Sequence, residues 1–251
     1  GYLNTLENQG LGSWSAISSY SKKEILLPPD SNMILKYTLH LELTIGCNLR
    51  CLHCYNESEI SKLQDNSEVS LDNWRRVIVE AYQIGCRRVQ FIGGEPFLKR
   101  KLLHDLIPFA SLIGFTSLEV STNGTLMTEK DLAFLKAHSA SLAISFYSYR
   151  DKVHDLVTTK KGSWEKTLAL INLALGMDMP FRVAVVKMKH NETDTSETIK
   201  FLKSLGVKNA KISNIGPVGR GCSTEIVSPE IRRQQIVTKA SFPKVSFNVF
   251  W

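Results

Sequence analysis

From residue 38 onward, short runs rich in β-branched and apolar residues alternate with longer stretches whose apolar positions recur at helical spacing. The pattern predicts strands at Leu39–Ile45, Arg88–Ile92, Leu118–Ser121, Ser141–Tyr147, Phe181–Lys187 and Ala210–Ile215. It predicts helices at Leu71–Ile84, with Ser70 as N-cap, and at Leu102–Leu112, Thr128–Ala137, Trp164–Leu175, Thr195–Leu205 and Pro229–Ala240. A last apolar alternation, Lys244–Phe250, ends the chain. Six βα units in succession imply a parallel sheet with right-handed crossovers. Two closures stay open at this point. One is a doubly wound open sheet; the other is a barrel, complete or partial, and six units fall two short of the full eight. Residues 1–37 differ in texture. They carry Gly, Ser and Asn, the break Leu27-Pro28-Pro29-Asp30 and one short apolar patch at Ile25–Leu27. They are expected to form an extension laid over the main domain.

Composition narrows the class. The chain has 251 residues, about the upper size of one domain, and 43% hydrophobic residues, enough for a full core and too many for compositional disorder. No run of 18 apolar residues occurs, so no membrane span is expected, and the N-terminus has no signal-peptide pattern. Net charge is +7 but thinly spread, with Lys99–Arg100–Lys101, Lys160–Lys161 and Arg232–Arg233 among the densest spots. Most of it reads as solvated surface; attraction for an acidic peptide or phosphate group is the sharper alternative. Basic and aromatic residues do not interleave as in nucleic-acid binders, so no nucleic acid is expected.

There are five cysteines, an odd count, with Cys47, Cys51 and Cys54 packed into one short loop. That is a metal or cluster site in a reducing compartment rather than a disulfide framework, and cytoplasm is the expected location. The loop Thr44-Ile45-Gly46-Cys47-Asn48-Leu49-Arg50-Cys51-Leu52-His53-Cys54-Tyr55 begins at the C-terminal end of the first strand, the end that carries chemistry in parallel α/β proteins. A structural zinc site would close a tetrahedron with a second Cys or His pair, and Cys86 and Cys222 are isolated. A ferredoxin-type cluster needs four thiolates. Three packed cysteines would leave one iron of a four-iron cluster open to a small chelating ligand, which a catalytic site needs and an electron carrier does not.

Two more strand ends bear polar groups. Phe91-Ile92-Gly93-Gly94-Glu95-Pro96 follows the second strand, where Glu95 could accept a hydrogen bond from an ammonium; alone, it reads as a Gly-Gly turn. Ser121-Thr122-Asn123-Gly124-Thr125 follows the third, where helix capping is the simplest role.

Cys-x3-Cys-x-aromatic-Cys, with His53 at the aromatic position, resembles the signature of the radical S-adenosylmethionine enzymes, and the resemblance runs from about residue 39 to about 221. It implies a partial (β/α)6 barrel of the TIM type. It implies that Cys47, Cys51 and Cys54 bind three irons of a [4Fe–4S] cluster, and that S-adenosylmethionine binds the fourth. An electron from the reduced cluster would then break the sulfur–carbon bond, giving methionine and a 5′-deoxyadenosyl radical that abstracts hydrogen. The resemblance also implies cofactor contacts from Gly93, Gly94, Glu95 and Pro96, from Ser121 and Asn123, and from Ser145 in the fourth strand. Lys187, ending the fifth, is a weaker candidate for the same carboxylate, with a solvated lysine as the alternative. Gly216-Pro217-Val218-Gly219-Arg220-Gly221 resembles a Gly-Arg-Gly segment whose backbone lies near the adenine in one branch.

The stretch Phe146–Asp155 with Gly162-Ser163-Trp164 resembles the peptide-modifying members, which carry SPASM or twitch extensions. His154 and Asp155 also suit a plainer role, fixing the loop before the next helix. The chain stops at Trp251 inside an apolar run, so the C-terminal segment is expected to be truncated or the extension lost, and auxiliary clusters are expected only where such an extension exists. The expected division is an extension over 1–37, a partial barrel over 38–221 and the start of a C-terminal segment over 222–251. Cys222 has three readings: an ordinary thiol, an auxiliary-cluster ligand, or a hydrogen donor to a substrate radical. Cys86 reads as buried packing. The expected function is hydrogen abstraction from a ribosomally made peptide, leading to a crosslink or an epimer, with a leader peptide and a flavodoxin- or ferredoxin-type donor as partners. A small-molecule substrate such as a tetrapyrrole or cofactor precursor, and a non-catalytic electron carrier, are the alternatives.

Overall fold

The computed structural model describes residues 38–64, 69–228, 231 and 248–249. The expected N-terminal extension lies outside them, as does the helix at Pro229–Ala240 apart from Ile231. Of the final alternation, only Asn248–Val249 is described.

In order along the chain, the elements are β1 (Thr38–Glu42), α1 (Leu71–Gln83), β2 (Arg88–Ile92), α2 (Arg100–Ile113), β3 (Ser117–Thr122), α3 (Glu129–Ala137) and β4 (Ala140–Ser145). Then come α4 (Asp151–Thr158), α5 (Ser163–Gly176), β5 (Phe181–Lys187), α6 (Thr195–Ser204), β6 (Ala210–Asn214) and the short β7 (Asn248–Val249). All pairings are parallel, in the order β6-β5-β4-β3-β2-β1-β7. Each strand from β1 to β6 lies beside its successor. A doubly wound sheet would reverse direction at a switch point, and this one does not. The partial barrel is therefore the correct closure.

Local chemistry accounts for the boundaries. The Ser70 hydroxyl accepts from Asn73 N and starts α1. Thr128 and Asp131 cap α3 reciprocally, each side chain taking the other's backbone N–H. Alternate strand residues, among them Leu41, Phe91, Val120, Leu142 and Val185, point outward and are buried against the helices. They meet Ile78 of α1, Leu106 of α2, Leu135 of α3, Ile171 of α5 and Leu202 of α6. Full burial of each such side chain contributes about 1.5–3 kcal/mol. The residues between them, such as Gln90, Glu119 and Arg182, face the opposite, concave side.

One element departs from the expected pattern. The segment holding His154 and Asp155 is a helix, α4, not a loop. Its Val157 joins Tyr147, Met188, Ile215, Ile226 and Val227 in a second, smaller apolar cluster, on which Cys51 and Leu52 rest. Among the described residues, no helix is long and apolar enough to cross a membrane.

Candidate active site

The C-terminal ends of β1, β2 and β3 converge. Past β1, the chain runs through Thr44–Gly46 into the cysteine loop. Past β2, the Gly-Gly turn presses backbone against backbone on that segment. Gly94 N donates to Thr44 O (2.6 Å) and Glu95 N to Gly46 O (2.9 Å). A Cβ on Gly94 would stand 2.0 Å from Gly46 O, so only glycine fits. The turn thus packs directly on the cysteine loop's own backbone.

Glu95 is fully buried. Its carboxylate accepts from Phe97 N (3.2 Å), Thr122 Oγ1 (2.8 Å) and Asn123 N (2.8 Å), tying the β2 end to the β3 end. Burial pushes its pKa up to about 7, against the pull of these donors and of Arg100. Pro96 is buried beside it and opens a single 3₁₀ turn. The Asn123 side chain donates to Asn48 Oδ1 (2.9 Å) and lies 3.8 Å from Cys47 Sγ, while its own Oδ1 accepts from Thr125 N (2.9 Å). Asn123 therefore reaches the cysteine loop itself. Ser121 turns to the concave face, where its hydroxyl accepts from Gln90 Nε2 (2.9 Å).

The cysteine loop is held from two further sides that the sequence did not reveal. The last turn of α4 supplies carbonyls: Arg50 N donates to Thr158 O (3.3 Å) and Leu52 N to Val157 O (2.9 Å). Asp155 anchors that turn to α5, accepting from Gly162 N (2.6 Å), Ser163 Oγ (2.9 Å) and Trp164 N (2.9 Å). On the other side, the turn Gly219–Cys222 lies so close that a Cβ on Gly219 would stand 2.2 Å from Tyr55 O. Arg220 N donates to Cys54 O (3.0 Å) there.

All five cysteines are free thiols. Burial, helped by the charges of Glu95 and Cys54, pushes Cys47 up to about 11, and burial, helped by Cys47 and Cys54, pushes Cys51 up to about 12. Three thiols gathered where ionisation is opposed need a cation to become ligands. Among the described residues, no three His, Cys, Asp or Glu side chains converge tightly enough for a single metal ion. Donors already point at the sulfurs: Leu49 N at Cys47 Sγ (3.4 Å) and Ser58 N at Cys54 Sγ (3.3 Å). The residues present fit a [4Fe–4S] cluster with one open iron.

Tyr147 lies under this loop. Its hydroxyl is hydrogen-bonded to Ser145 and Cys51, and its ring meets that of His53 edge-on at 4.8 Å between centroids. Ser145 thus ends β4 within reach of the site. Lys187 ends β5, half-buried, with its carbonyl accepting from Ile215 N (3.0 Å). Cys222 is exposed at the end of the turn that docks on the loop, and Cys86 is buried in the main core. On the concave face, Arg182 makes a two-bond pair with Glu119 (2.8 Å each), and Gln90 Nε2 donates to Glu119 Oε1 (2.6 Å). This network is invisible in sequence because it depends on register across β2, β3 and β5.

His154 yields a pH prediction. Its Nδ1 accepts from Tyr147 N (3.2 Å), and its ring lies between Phe146 and Tyr147. Burial holds its pKa down to about 4, with Asp155 pulling the other way. The unfolded chain binds this proton near pH 6.5 and the folded chain does not, so stability is full above about 6.5 and falls as pH drops toward 4. At about 1.4 kcal/mol per pH unit, the loss between pH 6.5 and 5 is about 2 kcal/mol. Urea unfolding at pH 7 and pH 5 should show that loss shrink in His154→Asn; an unchanged difference between the two pH values contradicts it. His53, also held near 4, is present in both proteins and cancels.

A family model described as the radical SAM superfamily matches residues 41–215. An AdoMet-dependent heme synthase of Methanosarcina barkeri is 31% identical over 189 residues, covering 75% of this chain and 53% of that protein. The antilisterial bacteriocin subtilosin biosynthesis protein AlbA of Bacillus subtilis is 30% identical over 190 residues, covering 75% of this chain and 41% of that one. The crystal structure of Streptococcus suis SuiB bound to S-adenosylmethionine superposes with a TM-score of 0.66 at 17% identity, over 82% of this chain and 48% of that one. SuiB bound to its precursor peptide SuiA superposes equally well. The chain spans about half the length of the curated relatives it matches.

Proposed function

The chain belongs to the radical SAM superfamily, and from that premise we propose that it uses Cys47, Cys51 and Cys54 to hold a [4Fe–4S] cluster for hydrogen abstraction from a peptide. The observation that carries this reading is the backbone contact of Gly94 and Glu95 with Thr44–Gly46, which brings the Gly-Gly-Glu turn against the cysteine loop. When bound, the reduced cluster and S-adenosylmethionine supply methionine and the 5′-deoxyadenosyl radical that takes the hydrogen. The chain's own residues bind and orient. Cys47, Cys51 and Cys54 would hold three irons of the cluster. Gly93, Gly94, Glu95 and Pro96 would bind the methionine ammonium, with Glu95 held in place by Phe97 N, Thr122 Oγ1 and Asn123 N. Asn123 fixes the loop against β3. Ser121 and Ser145 face the concave side and would serve the carboxylate and ribose, while Lys187, at the end of β5, shares the outward parity of Val185 and is the weaker candidate. The buried apolar cluster beneath Cys51 keeps water from the loop.

The peptide reading draws on AlbA, named for bacteriocin biosynthesis, and on SuiB, which binds a precursor peptide. The heme synthase favours a second reading, a tetrapyrrole or other small molecule. A reducing compartment and a flavodoxin- or ferredoxin-type donor suit both. The radical-generating unit on this reading is residues 38–221, with auxiliary clusters belonging to any C-terminal extension. The deciding experiment uses the full-length protein, anaerobically reconstituted and reduced with dithionite, with a deuterated version of any short peptide found encoded beside its gene. Deuterium should appear in 5′-deoxyadenosine and the peptide mass should change. Deuterium transfer from a labelled porphyrin precursor, with none from peptide, would establish the second reading instead.

A further inference from the structure

Arg220 lies in the turn after β6, yet its side chain is spent on the loop after β1. Its Nε donates to Cys51 O (2.8 Å) and its Nη2 to Ser58 O (2.9 Å), while its backbone N donates to Cys54 O. One residue thus grips the cysteine loop at three points. The grip alone would be structural, and a neutral donor could supply much of it. The charge is another matter. The ion pairs among the described residues include Arg50 with Glu59, Arg100 with Asp131, Arg150 with Asp194 and Arg182 with Glu119, and none involves Arg220. Its guanidinium is half-buried, and its bonds go to neutral carbonyls.

A cluster held by three thiolates gains one negative charge when it is reduced. A fixed cation beside it, screened only partly by water, favours that state. We infer that Arg220 is a positioning residue with an electrostatic role. Fastened to the Cys51 and Ser58 carbonyls, its charge, which has no carboxylate partner among the described residues, raises the potential at which the cluster in this loop accepts an electron. This rests on the cluster reading above and adds to it a residue outside the cysteine motif.

The test compares the reconstituted full-length protein with Arg220→Gln and Arg220→Lys. Iron is counted, and the cluster is titrated with dithionite without S-adenosylmethionine, the reduced form being followed by electron paramagnetic resonance. Gln keeps an amide donor and drops the charge, so its midpoint should move to a more negative potential at equal iron content. Lys keeps the charge and loses the two-pronged grip, so its midpoint should stay near wild type. A Gln variant with full iron and an unshifted midpoint overturns the inference. Should Gln fail to load iron, Lys decides: a midpoint near wild type supports the electrostatic role, and a lowered one overturns it. Loss of iron in both variants marks a clamp only and overturns it too. A wild-type protein that takes up no four-iron cluster at all refutes the cluster reading itself, which keeps the two failures apart.

Discussion

Replacing Cys47, Cys51 and Cys54 together by alanine is expected to leave a folded protein that binds no iron and makes no 5′-deoxyadenosine. The fold should survive because its main core is built from strand and helix side chains such as Phe91, Ile107 and Ile171, and none of the three cysteines belongs to it. Cys47 is buried at the loop's start, and a methyl group fits where its Sγ now accepts from Leu49 N. Chemistry should fall to the uncatalysed background, at least about 10⁶-fold on the scale of ordinary enzymatic accelerations. Cys86→Ala is the matched control: it removes a thiol from the core but not from the loop, and it should load iron normally. Iron analysis and product quantification settle the matter, and 5′-deoxyadenosine from the triple variant would sink the assignment of the loop.

Gly94→Ala is expected to be nearly as damaging, though it touches no ligand. The new methyl group would lie 2.0 Å from Gly46 O and 2.5 Å from Gly46 C. Both are backbone atoms, so no side chain can swing away. The Gly-Gly turn must lift off Thr44–Gly46, straining the bonds from Gly94 N and Glu95 N. Overpacking of this kind costs about 1–3 kcal/mol, and each lost backbone bond adds about 1 kcal/mol. A lower melting temperature should follow. The larger effect is on geometry, because Cys47 adjoins Gly46. A displacement of about 1 Å at a reacting centre can cost about 10²-fold in rate, and a loss of that size is expected per bound cluster. The check is 5′-deoxyadenosine formation normalised to iron; a wild-type rate per cluster would show that the contact is incidental.

Much of this architecture is legible in the residues. The run Phe181–Lys187 sets Val183, Val185 and Val186 beside Phe181 and Ala184, and it forms a strand over those residues. Ser70 announces α1 because a serine before an amphipathic run has a backbone N–H to cap. The cysteine spacing and the Gly-Gly-Glu turn are local, and local patterns survive in a linear text. The helix α4 is hidden because only eight residues form it and its buried face carries His154 and Thr158, which do not look apolar. The roles of Arg220 and of the Arg182–Glu119 pair are hidden for a stronger reason. Their partners stand far away in sequence, Cys51 for one and Glu119 for the other, and strand order alone brings them together. Asn123 falls between the cases. Its place after a strand marks it as a site residue, but nothing in the sequence tells that its amide reaches Asn48 and Cys47.

The sequential strand order has a consequence for how the protein is made. From β2 to β6, each strand pairs with the one synthesised just before it, so this part of the sheet can grow in step with the ribosome, its contacts closing short loops first. The cysteine loop follows β1 and emerges early. Its supports arrive much later: the carbonyls of Val157 and Thr158 at the end of α4, then Arg220 after β6. During synthesis, the nascent chain exposes three thiols long before it can grip them. On the cluster reading, iron delivery is expected to come late, after β6 has docked, since a carrier that unloaded earlier would meet an unshaped loop.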